Sequence, residues 1–102
     1  MNGAPHRVGR KPELPAEYRL EAAGNNRLLK RPNGYLIAAF GEWVEPDSIV
    51  QVAEADERYL RAVERLEKFG TAADSETVLL FADDVKEARS AFLLALETAY
   101  RG

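Results

Sequence analysis

Between Ala55 and Phe69 the apolar positions Tyr59/Leu60, Val63 and Leu66 recur at three- and four-residue steps, with charged residues filling the gaps. That period predicts an amphipathic helix with one face toward a core. Glu54 and Arg58, Glu57 and Arg61, and Glu64 and Lys68 stand four apart with the acid first, the favourable order for helical ion pairs. Gly70 reads as a left-handed stop. Toward the N-terminus, Ile49 and Val52/Ala53 continue the stripe and extend the helix over residues 47–69, with Ser48 and Gln51 as a capping box. A strand over residues 48–53 is the alternative, because Ile49, Val50 and Val52 are all β-branched. Asp56 falls on the apolar stripe and counts against a continuous helix.

Alternation governs the preceding segment. Tyr18, Leu20 and Ala22 alternate with Arg19 and Glu21, which predicts a half-buried strand. Gly24-Asn25-Asn26 supplies a turn, and residues 27–30 a short second strand. Asn33-Gly34 is the strongest hairpin signal in the chain. Residues 35–43 then predict a third strand, mostly apolar and so central and covered on both faces, with Gly41 as a bulge or strand end.

After a polar loop over residues 71–76, the run Thr77-Val78-Leu79-Leu80-Phe81 has the form of a short, fully buried strand. Asp83-Asp84 and Glu87 read as the start of a final helix, whose core stripe is Val85, Ala88, Phe92, Ala95/Leu96 and Ala99. The order β-β-β-α-β-α predicts an α+β domain with a four-stranded mixed sheet and two helices packed on one face. Residues 1–16, broken by Gly3, Pro5, Gly9, Pro12 and Pro15, predict a flexible basic arm, leaving residues 17–102 as the folded domain.

At 102 residues the chain has length for one two-layer core. The absence of cysteine removes disulfides, thiol catalysis and cysteine-ligated metals. No apolar run reaches the roughly 18 residues of a membrane span, and the N-terminus lacks the apolar centre of a secretory signal. Both point to a cytoplasmic protein without membrane partners, and the Ala/Arg/Glu/Leu bias suggests a GC-rich prokaryotic genome. The net charge of −3 conceals an asymmetry: residues 1–34 hold seven cations and three acids, the remainder seven cations and fourteen acids. Solvation and internal attraction explain that split; contact with a polyanion is the alternative.

Candidate chemistry is sparse. The stretch Val78-Leu79-Leu80-Phe81-Ala82-Asp83-Asp84 resembles the first strand of response-regulator receiver domains, but a receiver needs several further strand–helix units and this chain ends one helix later. Helix capping accounts for Asp83, Asp84 and Glu87 without a metal. Glu42, Glu45 and Asp47 surround Trp43 without any nucleophile motif, and His6 on the arm has no partner to fix its tautomer. The sequence therefore predicts no enzyme, no catalytic residue, no metal site and no cofactor. Arg7, Arg10 and Lys11 on the arm, with Arg27, Lys30, Arg31 and Tyr35 around the hairpin, form a candidate nucleic-acid surface. Leu93, Leu94 and Tyr100 lie outside the core stripe of the last helix and form a candidate protein-contact surface. The favoured expectation is an interaction module that binds a protein partner, a second copy of itself through its C-terminal helix; the alternative is nucleic-acid binding.

Overall fold

The structure, a computed structural model, describes residues 13–71 and 74–101. Its elements are β1 (Arg19–Ala23), β2 (Asn26–Lys30), β3 (Leu36–Gly41), α1 (Pro46–Phe69) and α2 (Ser75–Arg101). The strands form an antiparallel meander in the order β1-β2-β3. The class is α+β, with three described strands in place of the expected four and a sheet that is antiparallel, not mixed. β2 takes the centre and β3 an edge, against the expectation of a central third strand. One face of the sheet carries Leu29, Ala38 and Phe40, which pack with Tyr18, Val44, Ile49, Val52, Ala53 and Ala99 into the core. On the other face Leu36 and Ala39 are exposed.

The turns exchange the roles expected of them. Ala23 pairs with Asn26, so Gly24-Asn25 is the two-residue hairpin. Gly24 has φ +62° there, and glycine at the first central position suits a II′-type turn. Asn33-Gly34 instead lies in a wider loop, closed by Arg31 N–H donating to the Tyr35 carbonyl at 2.9 Å, beside a register shift at Leu29/Lys30. Asn33 Oδ1 accepts from the Tyr35 N–H at 2.9 Å and Gly34 has φ +91°, so both residues still act as turn formers.

Residues 48–53 are helical. α1 begins earlier than the Ser48 capping box implied: Pro46 occupies its first turn, Glu45 is the N-cap without a side-chain cap, and the Glu45 carbonyl receives the Ser48 and Ile49 N–H groups. Proline fits there because the first-turn N–H groups have no intrahelical acceptor. Gly70 closes α1 in the right-handed region (φ −62°), its N–H reaching the Leu66 carbonyl at 2.8 Å, and not as a left-handed stop.

The segment expected as a fourth strand is the opening of α2. Asp74 supplies the cap: its Oδ1 accepts the Thr77 N–H at 2.8 Å, and its carbonyl accepts the Val78 N–H at 3.0 Å. That hydrogen bond from the Thr77 backbone holds the Asp74 carboxyl below the usual carboxylate range. Asp83 and Asp84 consequently sit inside the helix and cap nothing. A five-residue apolar run does not distinguish a buried strand from a helix turn that is apolar on several sides. Here Phe81 turns inward, 6.4 Å from the Phe69 ring, while Leu79 and Leu80 face outward.

α1 and α2 form an antiparallel hairpin, cross-linked by Arg58 and Arg65 to Asp84 at 3.8 and 3.2 Å. Beyond Asp56 no described α1 residue belongs to the sheet-centred core; Ala62 and Ala88 are buried apart from it. A 24-residue helix is about 36 Å long and a six-residue strand about 20 Å, so the hairpin overhangs the sheet. The radius of gyration, 16.3 Å against about 13 Å for a compact 100-residue domain, reflects that overhang.

Candidate functional site

The cations of β2 and its following loop are committed internally. Arg27 reaches over the β3–α1 connection, donating from Nη2 to the carbonyls of Gly41 at 2.9 Å and Val44 at 2.6 Å. Lys30 pairs with Glu21 across the exposed sheet face at 2.9 Å, which holds the Glu21 carboxyl below its ordinary value. Arg31 closes on Asp56 with two nitrogens, Nε at 3.0 Å from Oδ2 and Nη2 at 2.8 Å from Oδ1. Tyr35 is exposed, with the Arg31 guanidinium 4.6 Å from its ring centre. Of the expected phosphate grip, Lys30 and Arg31 are thus paired with carboxylates, while Arg27 is held by backbone carbonyls, its Nε buried without a partner. Arg7, Arg10 and Lys11, the other members of that surface, lie outside the described residues.

Asp56 explains its own place on the α1 stripe. It has no exposure to solvent, and Tyr18 donates its hydroxyl to Oδ2 at 2.7 Å while Arg31 takes both oxygens. A buried carboxylate persists only when paired and hydrogen-bonded, and this one is both. Burial, and then the hydrogen bond to Asp56, push the Tyr18 phenol well above its usual value; the same carboxylate raises Arg31. Glu17, at φ +69°, turns the chain immediately before Tyr18. The triad joins the β1 entry, the β2–β3 loop and α1. The sequence carries a trace of it, a carboxylate on an apolar stripe, but its partners stand 25 and 38 residues away.

The outer face of α2 is the opposite case. Leu79, Leu80, Leu93 and Leu94 are 64, 67, 49 and 63% exposed. At 100° per residue, with Ala88 and Ala99 marking the buried side, Leu79, Leu93 and Leu94 point away from it and Leu80 lies about 90° round, on the flank. They come as two adjacent pairs, 14 residues and so about 21 Å apart along the axis. Between the pairs lie the exposed residues Asp83, Lys86, Glu87 and Ser90. Leu93 and Leu94 were anticipated from the sequence; Leu79 and Leu80 were not, because the run containing them read as a buried strand. Tyr100, the third anticipated contact residue, is 45% exposed but tied to the sheet. Its hydroxyl donates to the Ala39 carbonyl at 2.9 Å and its ring lies 5.5 Å from that of Phe40. Tyr100 thus covers part of the β3 edge.

Among the described residues no group of three potential ligands is placed to hold a metal, and no helix is long and apolar enough to cross a membrane. Asp84 is engaged by Arg58 and Arg65, as noted above. Near the free end of the hairpin, Arg61, Glu64, Arg65, Lys68 and Phe69 line an open groove. Its mixed charges suit a solvated face: Arg61 pairs with Glu57 at 3.3 Å and Arg65 with Asp84. Set against known protein families, curated proteins and solved structures, the chain matches none.

Proposed function

We propose that this protein is a small, non-enzymatic interaction module that self-associates through the outer face of α2. The observation carrying the reading is the two pairs of exposed leucines on α2, three of the four pointing away from its buried stripe and Leu80 on the flank. Scattered exposed leucines are ordinary on soluble proteins; here they fall as two small clusters along one helix, and exposed apolar clusters are what contact surfaces are built from. A second copy is the partner this face suits, since like helices bury like stripes in an isologous pair. Nucleic-acid binding draws no comparable support, because Arg27, Lys30 and Arg31 are spent on internal acceptors.

Sedimentation velocity over a micromolar concentration series tests the proposal. The expected result is a monomer–dimer equilibrium for the natural chain. Leu79→Glu combined with Leu93→Glu leaves a monomer of unchanged helical circular dichroism. A natural chain that stays monomeric throughout the series, or a double variant that dimerises equally well, refutes it.

A further inference from the structure

The two edges of the sheet are protected differently. β1 carries Arg19 and Glu21, and charges on an edge strand discourage another strand from pairing beside it. β3 carries no charged side chain at all, and no described strand lies beyond it. We infer that β3 is a pairing edge for the β3 of a second copy, held shut by Tyr100. This contact is separate from the leucine face of α2 and does not rest on it.

The register shows which backbone groups the edge presents. Ala23 and Asn26 flank the two-residue turn between β1 and β2, and residues in that position exchange both backbone hydrogen bonds. Asn26, and by alternation Leu28, therefore direct their N–H and carbonyl groups toward β1. Opposite them on β3 stand Gly41 and Ala39, whose backbone groups consequently point outward, away from β2. The Gly41 carbonyl is engaged locally, by the Val44 N–H at 3.2 Å and Arg27 Nη2 at 2.9 Å. The Ala39 carbonyl is engaged by Tyr100, whose hydroxyl reaches it at 2.9 Å from 61 residues away. The Ala39 N–H has no such partner among the described residues.

A second copy of β3 fits this edge. In an antiparallel pair about a two-fold axis through Ala39, each Ala39 N–H donates to the carbonyl of the other. Ala38 then faces Phe40 of the second copy, the core faces of both sheets stay on one side, and no like charges meet. Tyr100 opposes the pairing twice. Its hydroxyl occupies the acceptor that the second Ala39 needs, and its ring lies 5.5 Å from that of Phe40 along the same edge. It stands in the last described turn of α2, and helix ends open at the least cost in a fold.

The test is made in the Leu79→Glu, Leu93→Glu background, so that association through the outer face of α2 does not contribute. Tyr100→Ala is expected to self-associate in sedimentation velocity, with the Ala39 amide becoming protected from hydrogen exchange in the associated form. Tyr100→Phe keeps the ring against Phe40 and removes the hydroxyl. It is expected to associate more weakly, and it decides the matter alone if circular dichroism shows the alanine variant unfolded. Ala39 is exposed, so Ala39→Lys disturbs no core contact. Added to either variant, it sets two ammonium groups on facing residues about 5.5 Å apart at Cα and should restore the monomer. Folded Tyr100 variants that stay monomeric overturn the inference. So does association that survives Ala39→Lys or leaves the Ala39 amide unprotected. None of these outcomes bears on the leucine face, which is disabled throughout.

Discussion

The inner face of α1 and the outer face of α2 place side chains where their chemistry does not belong. On α1 a carboxylate lies fully buried; on α2 four leucines lie in solvent. The carboxylate is resolved within the chain, by a guanidinium and a phenol drawn from two other segments. The leucines have no such answer among the described residues. Burying an unanswered charge would cost several kcal/mol, so folding has to satisfy it. Exposing a leucine leaves the fold intact and only forgoes the gain of burial, about 25 cal/mol per Å² of apolar surface. The first misplacement is a constraint on the fold; the second is the surface proposed above for self-association.

The largest expected effect comes from breaking the inner solution. Arg31→Ala leaves Asp56 charged, buried and held by Tyr18 alone, and should destabilise the fold by about 3–5 kcal/mol. Urea denaturation measures this directly. Replacing both members, Arg31→Met with Asp56→Leu, should recover most of the loss, since a buried ion pair is often equalled by apolar residues of similar size. A single variant as stable as the natural chain would mean that the triad does not hold the sheet to α1.

Tyr18→Phe comes next. It deletes one donor to a carboxylate and keeps the ring, for an expected loss of about 1.5–3 kcal/mol. The phenol also sharpens the comparison through pH. Its folded pKa is raised by burial, then by the bond to Asp56. The stabilisation is therefore complete below the unfolded value of about 10 and is lost as pH rises through the folded value. Denaturation midpoints compared between neutral and alkaline pH should fall more steeply for the natural chain than for Tyr18→Phe. Parallel curves would show that the phenol proton is not coupled to folding.

How far each region could be read from the sequence follows the same division. The helical period of α1 and the alternation of β1 are local, and local patterns survive without coordinates. The Asp56 triad is a long-range fact: the sequence exposed the anomaly of an acid on an apolar stripe, but nothing near it pointed to Tyr18 or Arg31. Leu93 and Leu94 were legible because they exceed what one core stripe can hold. Leu79 and Leu80 were not, because Val78 to Phe81 is apolar on every side, and such a run suits a buried strand as well as a helix turn. Asp74 and Thr77, whose cap decides the matter, read equally well as loop. That one choice removed a strand from the sheet and lengthened the candidate surface by half its leucines.

The smallest effect on the folded chain, and the most telling for the comparison, belongs to the outer face. Leu80→Gln with Leu94→Gln changes two solvent-exposed side chains that lie outside the core. At concentrations where the protein is monomeric, stability should shift by less than about 0.5 kcal/mol, as for most surface substitutions. Association couples to stability by mass action, so the melting temperature of the natural chain should climb as its concentration is raised. In the double variant that climb should vanish while the dilute melting temperature stays where it was. Should the variant instead melt far lower even when dilute, these leucines would be part of the monomer's own packing, and the two faces would no longer differ in kind.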